Sequence, residues 1–113
     1  MNEVKVKLVE YVCDGKSLFE IWFNSLDSAP AAKVTTSLYK LELGNLSNVK
    51  SVGRGDMECR INYGPGYRVY FGREGDKLII LLGGGSKKTQ RKDIVQAHIL
   101  WRQYKAEKKH KGH

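Results

Sequence analysis

Apolar and polar residues alternate from residue 4 to residue 12, with Val4, Val6 and Leu8 on one side of an extended chain and Lys5 and Lys7 on the other. Period two predicts a strand buried on one face. Asp14-Gly15 is turn chemistry and ends it. The period then lengthens. Ser17 and Glu20 have the spacing of a capping box, in which each side chain satisfies an amide left over at a helix start. Phe19, Trp22, Phe23 and Leu26 recur at i, i+3, i+4 and i+7 and form one apolar helix face. Ser28 with Pro30 predicts the opening of a second helix. Its buried face holds Ala31, Val34, Leu38 and Leu41, and Gly44 is its stop. The short connection at Asp27-Ser28 predicts a helical hairpin.

Period two returns from Asn48 onward. Val49 to Val52 predicts a short strand, and Gly53-Arg54-Gly55-Asp56 a turn. Glu58 to Tyr63 predicts a second strand, with Cys59, Ile61 and Tyr63 on one face and Glu58, Arg60 and Asn62 on the other. Gly64-Pro65-Gly66 forces a tight turn. Tyr67 to Phe71 is the returning strand, and Glu74-Gly75-Asp76 turns the chain again. Lys77 to Leu82 is almost wholly apolar, which predicts a central strand buried on both faces, ended by Gly83-Gly84-Gly85. Ile94, Ala97, Trp101 and Tyr104 then mark a last helix. The expected fold is α+β: an N-terminal strand and helical hairpin, an antiparallel meander and a C-terminal helix. The first strand returns to pair with residues 77–82 in one mixed, twisted sheet. Residues 1–106 form a single domain, and the Lys- and His-rich residues 107–113 a flexible basic tail.

With 113 residues, 41% of them hydrophobic, the chain can bury roughly two-thirds of its unfolded surface without a metal or disulfide staple. Cys13 and Cys59 lie far apart with no CxxC partner, so reduced thiols are expected and zinc is not. No apolar leader opens the chain and no apolar run is long enough to span a membrane, so a cytoplasmic protein without a membrane partner is expected. Lys and Arg number 20 against 12 Asp and Glu, a net charge of +8. A field of that sign favours phosphate backbone as partner.

The candidate chemistry is cationic. Arg60 and Arg68 flank a Gly-Pro-Gly turn, so their side chains can emerge on one face. Arginine forks grip phosphate oxygens bidentately, and Tyr67 and Tyr70 nearby offer stacking surface. Glu58 shares the face of Arg60 and pairs with an arginine or orients it. Gly83 to Thr89 lacks the GxxxxGK[ST] spacing of a P-loop. It still predicts a glycine-rich loop feeding a helix start beside Lys87, Lys88, Arg91 and Lys92, a candidate single-phosphate site. His98 falls mid-helix and reads as structural. No Ser/His/Asp set, metal cluster or cofactor motif stands out. A base for RNA cleavage would have to be a lysine, a tyrosine, a carboxylate or a group from a partner.

In that order of elements, several stretches together resemble the HigB-like branch of the RelE/ParE toxins, the addiction module killer proteins. They are Leu41-Glu42-Leu43-Gly44-Asn45, Val52-Gly53-x-Gly55, Glu58-Cys59-Arg60-Ile61, Gly66-Tyr67-Arg68-Val69-Tyr70-Phe71, and Leu82-Gly83-Gly84-Gly85-Ser86-Lys87-Lys88-Thr89-Gln90 with Asp93-Ile94. The resemblance spans about residues 17–104. It implies the toxin of a type II toxin–antitoxin module, paired with an antitoxin of helix-turn-helix type in a hetero-oligomer. It implies ribosome-dependent mRNA cleavage by ribose 2′-OH attack, without a cofactor or metal. Arg60 matches the arginine of the family's Glu-Leu-Arg motif and Arg68 that of Gly-Tyr-Arg, and Lys87 falls in the cationic segment that stabilises the phosphate. Lys50 and Arg54 fall where some members carry ribosome- or substrate-binding lysines, and Lys88, Arg91 and Lys92 extend that surface. Two departures stand out. Cys59 replaces the usual leucine, and Lys92 or Asp93 stands where RelE carries a tyrosine, leaving Glu58 and Asp93 as orienting or acid–base candidates. A ParE-like poison of DNA gyrase and a non-catalytic RNA-binding relative are the alternatives.

Overall fold

The structure is a computed structural model and describes residues 5–111. It is α+β: a five-stranded mixed sheet with helices on both faces. In chain order the elements are β1 (Lys7–Glu10), α1 (Leu18–Asn24), α2 (Ser28–Glu42), β2 (Val49–Gly53), β3 (Asp56–Ile61), β4 (Tyr67–Glu74), β5 (Leu78–Ser86) and α3 (Gln90–Lys111). A single 3-10 turn, Lys87–Thr89, leads into α3. The strands lie in the order β1-β5-β4-β3-β2. β1 runs parallel to β5, which the long intervening connection allows, and every other pairing is antiparallel.

Alternation along β5 divides the core. Ile79 and Leu81 join Phe19, Val34, Leu41, Val69 and Phe71 beneath α1 and α2. Ile80 and Leu82 join Tyr11, Tyr70, Ala97, Leu100 and Trp101 beneath α3. This is the strand buried on both faces that its composition predicts. Ser17 caps α1 by accepting from the Glu20 amide at 3.0 Å. The cap position of α2 is Asp27, one residue before the predicted opening. That helix ends in a Schellman motif: Gly44, at φ 81°, donates to the Leu41 carbonyl and Asn45 to that of Lys40.

Several expectations are corrected, and one falls outside the described residues. β3 begins at Asp56 and ends at Ile61, so Asn62 and Tyr63 belong to the following turn. α3 continues to Lys111 instead of fraying after Ala106, and the Glu107 carboxylate accepts from the Tyr11 hydroxyl at 3.0 Å. Val4, within the first predicted strand, lies outside the described residues. The largest correction concerns Gly83-Gly84-Gly85. They do not end β5 but pair with Tyr70, Val69 and Arg68 of β4. A bulge between Tyr70 and Phe71 reverses the side-chain parity of β5 at this point. Gly84 then faces α1, where a Cβ would overlap the Trp22 ring, and Gly85 faces α3, where it would overlap Asp93. Glycine is required because two helices press the strand from opposite sides.

Candidate functional site

The side of the sheet that faces α3 carries Asp56, Glu58 and Arg60 on β3 and Arg68, Tyr70 and Gly72 on β4. In register, Glu58 lies opposite Tyr70 and Arg60 opposite Arg68. The Gly64-Pro65-Gly66 turn returns the chain at once, so the two arginines are forced into adjacency. Gly66, at φ 85°, accepts from the Lys87 amide at 3.0 Å, which ties the turn to the end of β5. Arg60, Tyr67, Arg68 and Lys87 thereby line a single cleft of about 450 Å³.

Glu58 is the organiser. Its carboxylate, 2% exposed, accepts from Arg60 Nε at 2.9 Å and from Gln90 Nε2 at 3.1 Å, and lies 3.6 Å from Arg68 Nε. The last contact is an ion pair too long for a hydrogen bond. Arg68 Nε is buried and has no hydrogen-bond partner among the described residues. Two arginines thus face one buried carboxylate, and with Lys87 lining the same cleft it keeps a positive surplus. Burying an arginine is costly without a counter-charge, so Glu58 is what allows Arg68 to stay in place.

The other candidate residues divide sharply. Tyr67 is half-buried and lines the cleft. Tyr70, expected to offer a stacking surface, is 1% exposed inside the second core cluster. Its hydroxyl is buried without a partner among the described residues, and burial, with Glu58 and Asp93 nearby, pushes its pKa upward. Asp93 is absent from the residues lining the arginine cleft; it accepts from Thr89 Oγ1 at 2.5 Å above Gly85. The glycine-rich loop expected to cradle a phosphate does not exist, because those glycines lie within β5. Lys88, Arg91 and Lys92 are exposed at the start of α3, and only Lys87 of that cationic run reaches the cleft. Lys50 is exposed on β2 opposite Glu58, and Arg54 is exposed in the β2–β3 turn at φ 57°.

One pair went unrecognised in the sequence. His98, half-buried on α3, presents Nδ1 to both oxygens of Asp56, at 2.7 and 3.0 Å. Asp56 is 0% exposed. The residues are 42 positions apart and belong to elements of different period, so no local motif announces them. No group of residues suited to a metal ion occurs among the described residues. Nor is any helix among them long and apolar enough to cross a membrane.

Fold and cleft together define a small α+β protein with a cationic, arginine-lined cleft where its sheet meets its last helix. The chain is 45% identical over 83 residues to an uncharacterized protein of Haemophilus influenzae. The match covers 73% of this chain and 84% of that one, and the two belong to the same family. No family model matches the chain.

Proposed function

We propose that the protein is a RelE/ParE-like toxin of the HigB-like branch, and that it cleaves mRNA on the ribosome while an antitoxin of helix-turn-helix type restrains it. The observation that carries this reading is the convergence of Arg60, Arg68 and Lys87 on one cleft, with the two arginines held by the buried Glu58 carboxylate. Such a site suits a phosphodiester. Attack of a ribose 2′-oxygen on the adjacent phosphorus breaks the bond to the 5′-oxygen and leaves a cyclic phosphate and a 5′-hydroxyl. Negative charge gathers on the non-bridging oxygens during that step. Fixed cations in a partly dry cleft stabilise it more than they stabilise the substrate. Arg60, 43% exposed, is free to move onto the phosphate while Glu58 aims it, and Arg68 forms the floor. Proton transfer falls to Tyr67, to Lys87 or to a ribosomal group, since Glu58 is occupied by its arginines.

The test is translation in a reconstituted extract with mRNA ends mapped by primer extension, with and without ribosomes. Codon-phased cuts that need translating ribosomes and vanish with Arg60→Ala are the expected result. A folded Arg60→Ala protein that still stops growth would overturn the assignment of Arg60. DNA breaks without mRNA cuts would redirect the reading to gyrase, and a folded protein that neither cuts nor stops growth would leave a non-catalytic RNA-binding relative.

A further inference from the structure

A second cavity, of about 540 Å³, lies between the β2–β3 turn and the outer side of α3, lined by Arg54, Val95, His98, Ile99, Arg102 and Lys105. Three of these residues, Arg54, Arg102 and Lys105, are basic and none is acidic. Lys105 Nζ sits 5.6 Å from the centre of the Trp101 ring and borders Gly55, so Lys105 is held over the turn that carries Arg54. Val95 and Ile99 are exposed one helical turn apart and form an apolar shelf beside the cations. Beneath them is the Asp56–His98 pair. The Asp56 carboxylate holds Nδ1 and so fixes the ring, which lines the cavity. Keeping an aspartate fully buried to orient one half-buried histidine is costly in the absence of a use for that histidine.

We propose that this cavity is a ribonucleotide-binding subsite. A phosphate lies among Arg54, Arg102 and Lys105, a ribose 2′-hydroxyl hydrogen-bonds the free nitrogen of the His98 ring, and the sugar and base rest on Val95 and Ile99. Arginine forks bind phosphate bidentately, and a side chain placed to hydrogen-bond a 2′-hydroxyl, which both donates and accepts, is what tells RNA from DNA. Asp56 is the positioning residue. The subsite lies on the same side of the sheet as the arginine cleft. Asp56 and Arg60 are separated along β3 by about 13 Å at ~3.3 Å per residue, a distance that a short single strand spans. The proposal extends the RNA-directed reading to a second subsite.

Fluorescence anisotropy with a labelled single-stranded hexauridylate and its 2′-deoxy counterpart tests it, because binding is measured apart from cleavage. The wild-type protein should bind the RNA more tightly. Arg102→Ala, an exposed change that leaves the core alone, should weaken RNA binding about tenfold and lower the salt slope by about one unit. His98→Gln should erase the preference for RNA while leaving the salt slope in place. Near-UV circular dichroism confirms that each variant is folded. If His98→Gln disturbs the fold, the chemical shift of the wild-type His98 ring, titrated with uridine 5′-monophosphate, supplies the same readout. Unchanged affinity in Arg102→Ala, an unshifted His98 ring, or displacement of the RNA by hexaglutamate better than by uridylate would each overturn the subsite, the last in favour of an acidic protein partner. Intact binding with no mRNA cleavage would overturn the cleavage reading alone.

Discussion

Glu58 offers the sharpest test of the cleft because one carboxylate holds two arginines. In Glu58→Gln the shape is kept and the charge removed. Arg68, 8% exposed, then loses the carboxylate that lies 3.6 Å from its Nε. Breaking a buried pair in this way costs about 3–5 kcal/mol. Glutamine keeps one acceptor oxygen for Arg60 or Gln90, which places the expected loss near the lower figure, about 3 kcal/mol. The pair with half-exposed Arg60 adds little, on the order of 0.5 kcal/mol, because solvent screens it. For a domain of this size about 3 kcal/mol lowers the melting temperature by roughly 12–20 °C. Urea unfolding followed by tryptophan fluorescence, with an unchanged m-value, measures the loss directly. Inorganic phosphate should recover part of it, because an anion between the arginines replaces the missing charge and stabilises the folded state by mass action. A variant that melts within about 3 °C of the wild type and gains no more than it from phosphate would refute the claim that Glu58 holds the site.

Gly84→Ala should destabilise by about 2–3 kcal/mol or more, because its Cβ overlaps the Trp22 ring, and Trp22→Leu should return part of that loss in a double-mutant cycle read by urea melts. The Cys59 thiol is pushed up to about 11, chiefly by burial, so a disulfide reagent at pH 8 should titrate only Cys13 in the folded protein and both thiols in urea. Tyr104 is pushed up to about 12 by burial and by donating to Glu74 at 2.5 Å, and burial also raises Tyr11 and Tyr70. A free tyrosine titrates near 10, so between that value and 12 the unfolded chain loses protons that the native protein keeps. Stability should therefore be undiminished below pH ~10 and fall as pH rises through 12, seen as a declining urea midpoint; a flat midpoint would refute the assignment of Tyr104.

Much of the fold was legible because it is written in periodicity. The stripe Phe19, Trp22, Phe23 and Leu26 and the stripe Val34, Leu38 and Leu41 both pack into the first core cluster. Ile94, Ala97, Trp101 and Tyr104 pack into the second. The arginine pair was legible for a related reason: a tight turn between short strands leaves few registers, and alternation decides the face. Gly83-Gly84-Gly85 misled because glycine commonly ends strands. Here it stays in β5, since Trp22 and Asp93 approach where a side chain would sit, and that approach is a property of two distant helices. Tyr70 misled in the same way: it shares a sheet face with Arg68, but α3 covers Tyr70.

The sequence by itself determined the element order, the two-sided burial of β5 and the adjacency of Arg60 and Arg68, because each rests on chain-local periods and a short turn. Only the tertiary structure decided that Lys87 joins the arginines, that Glu58 sits buried between them and that Asp56 meets His98. The first depends on the pairing of β5 with β4, which brings the Lys87 amide to the Gly66 carbonyl. The others depend on where α3 crosses the sheet to bring Gln90 onto Glu58 and His98 onto Asp56, a position set by the packing of side chains such as Trp101 on Gly72, from remote parts of the chain, which no local pattern encodes.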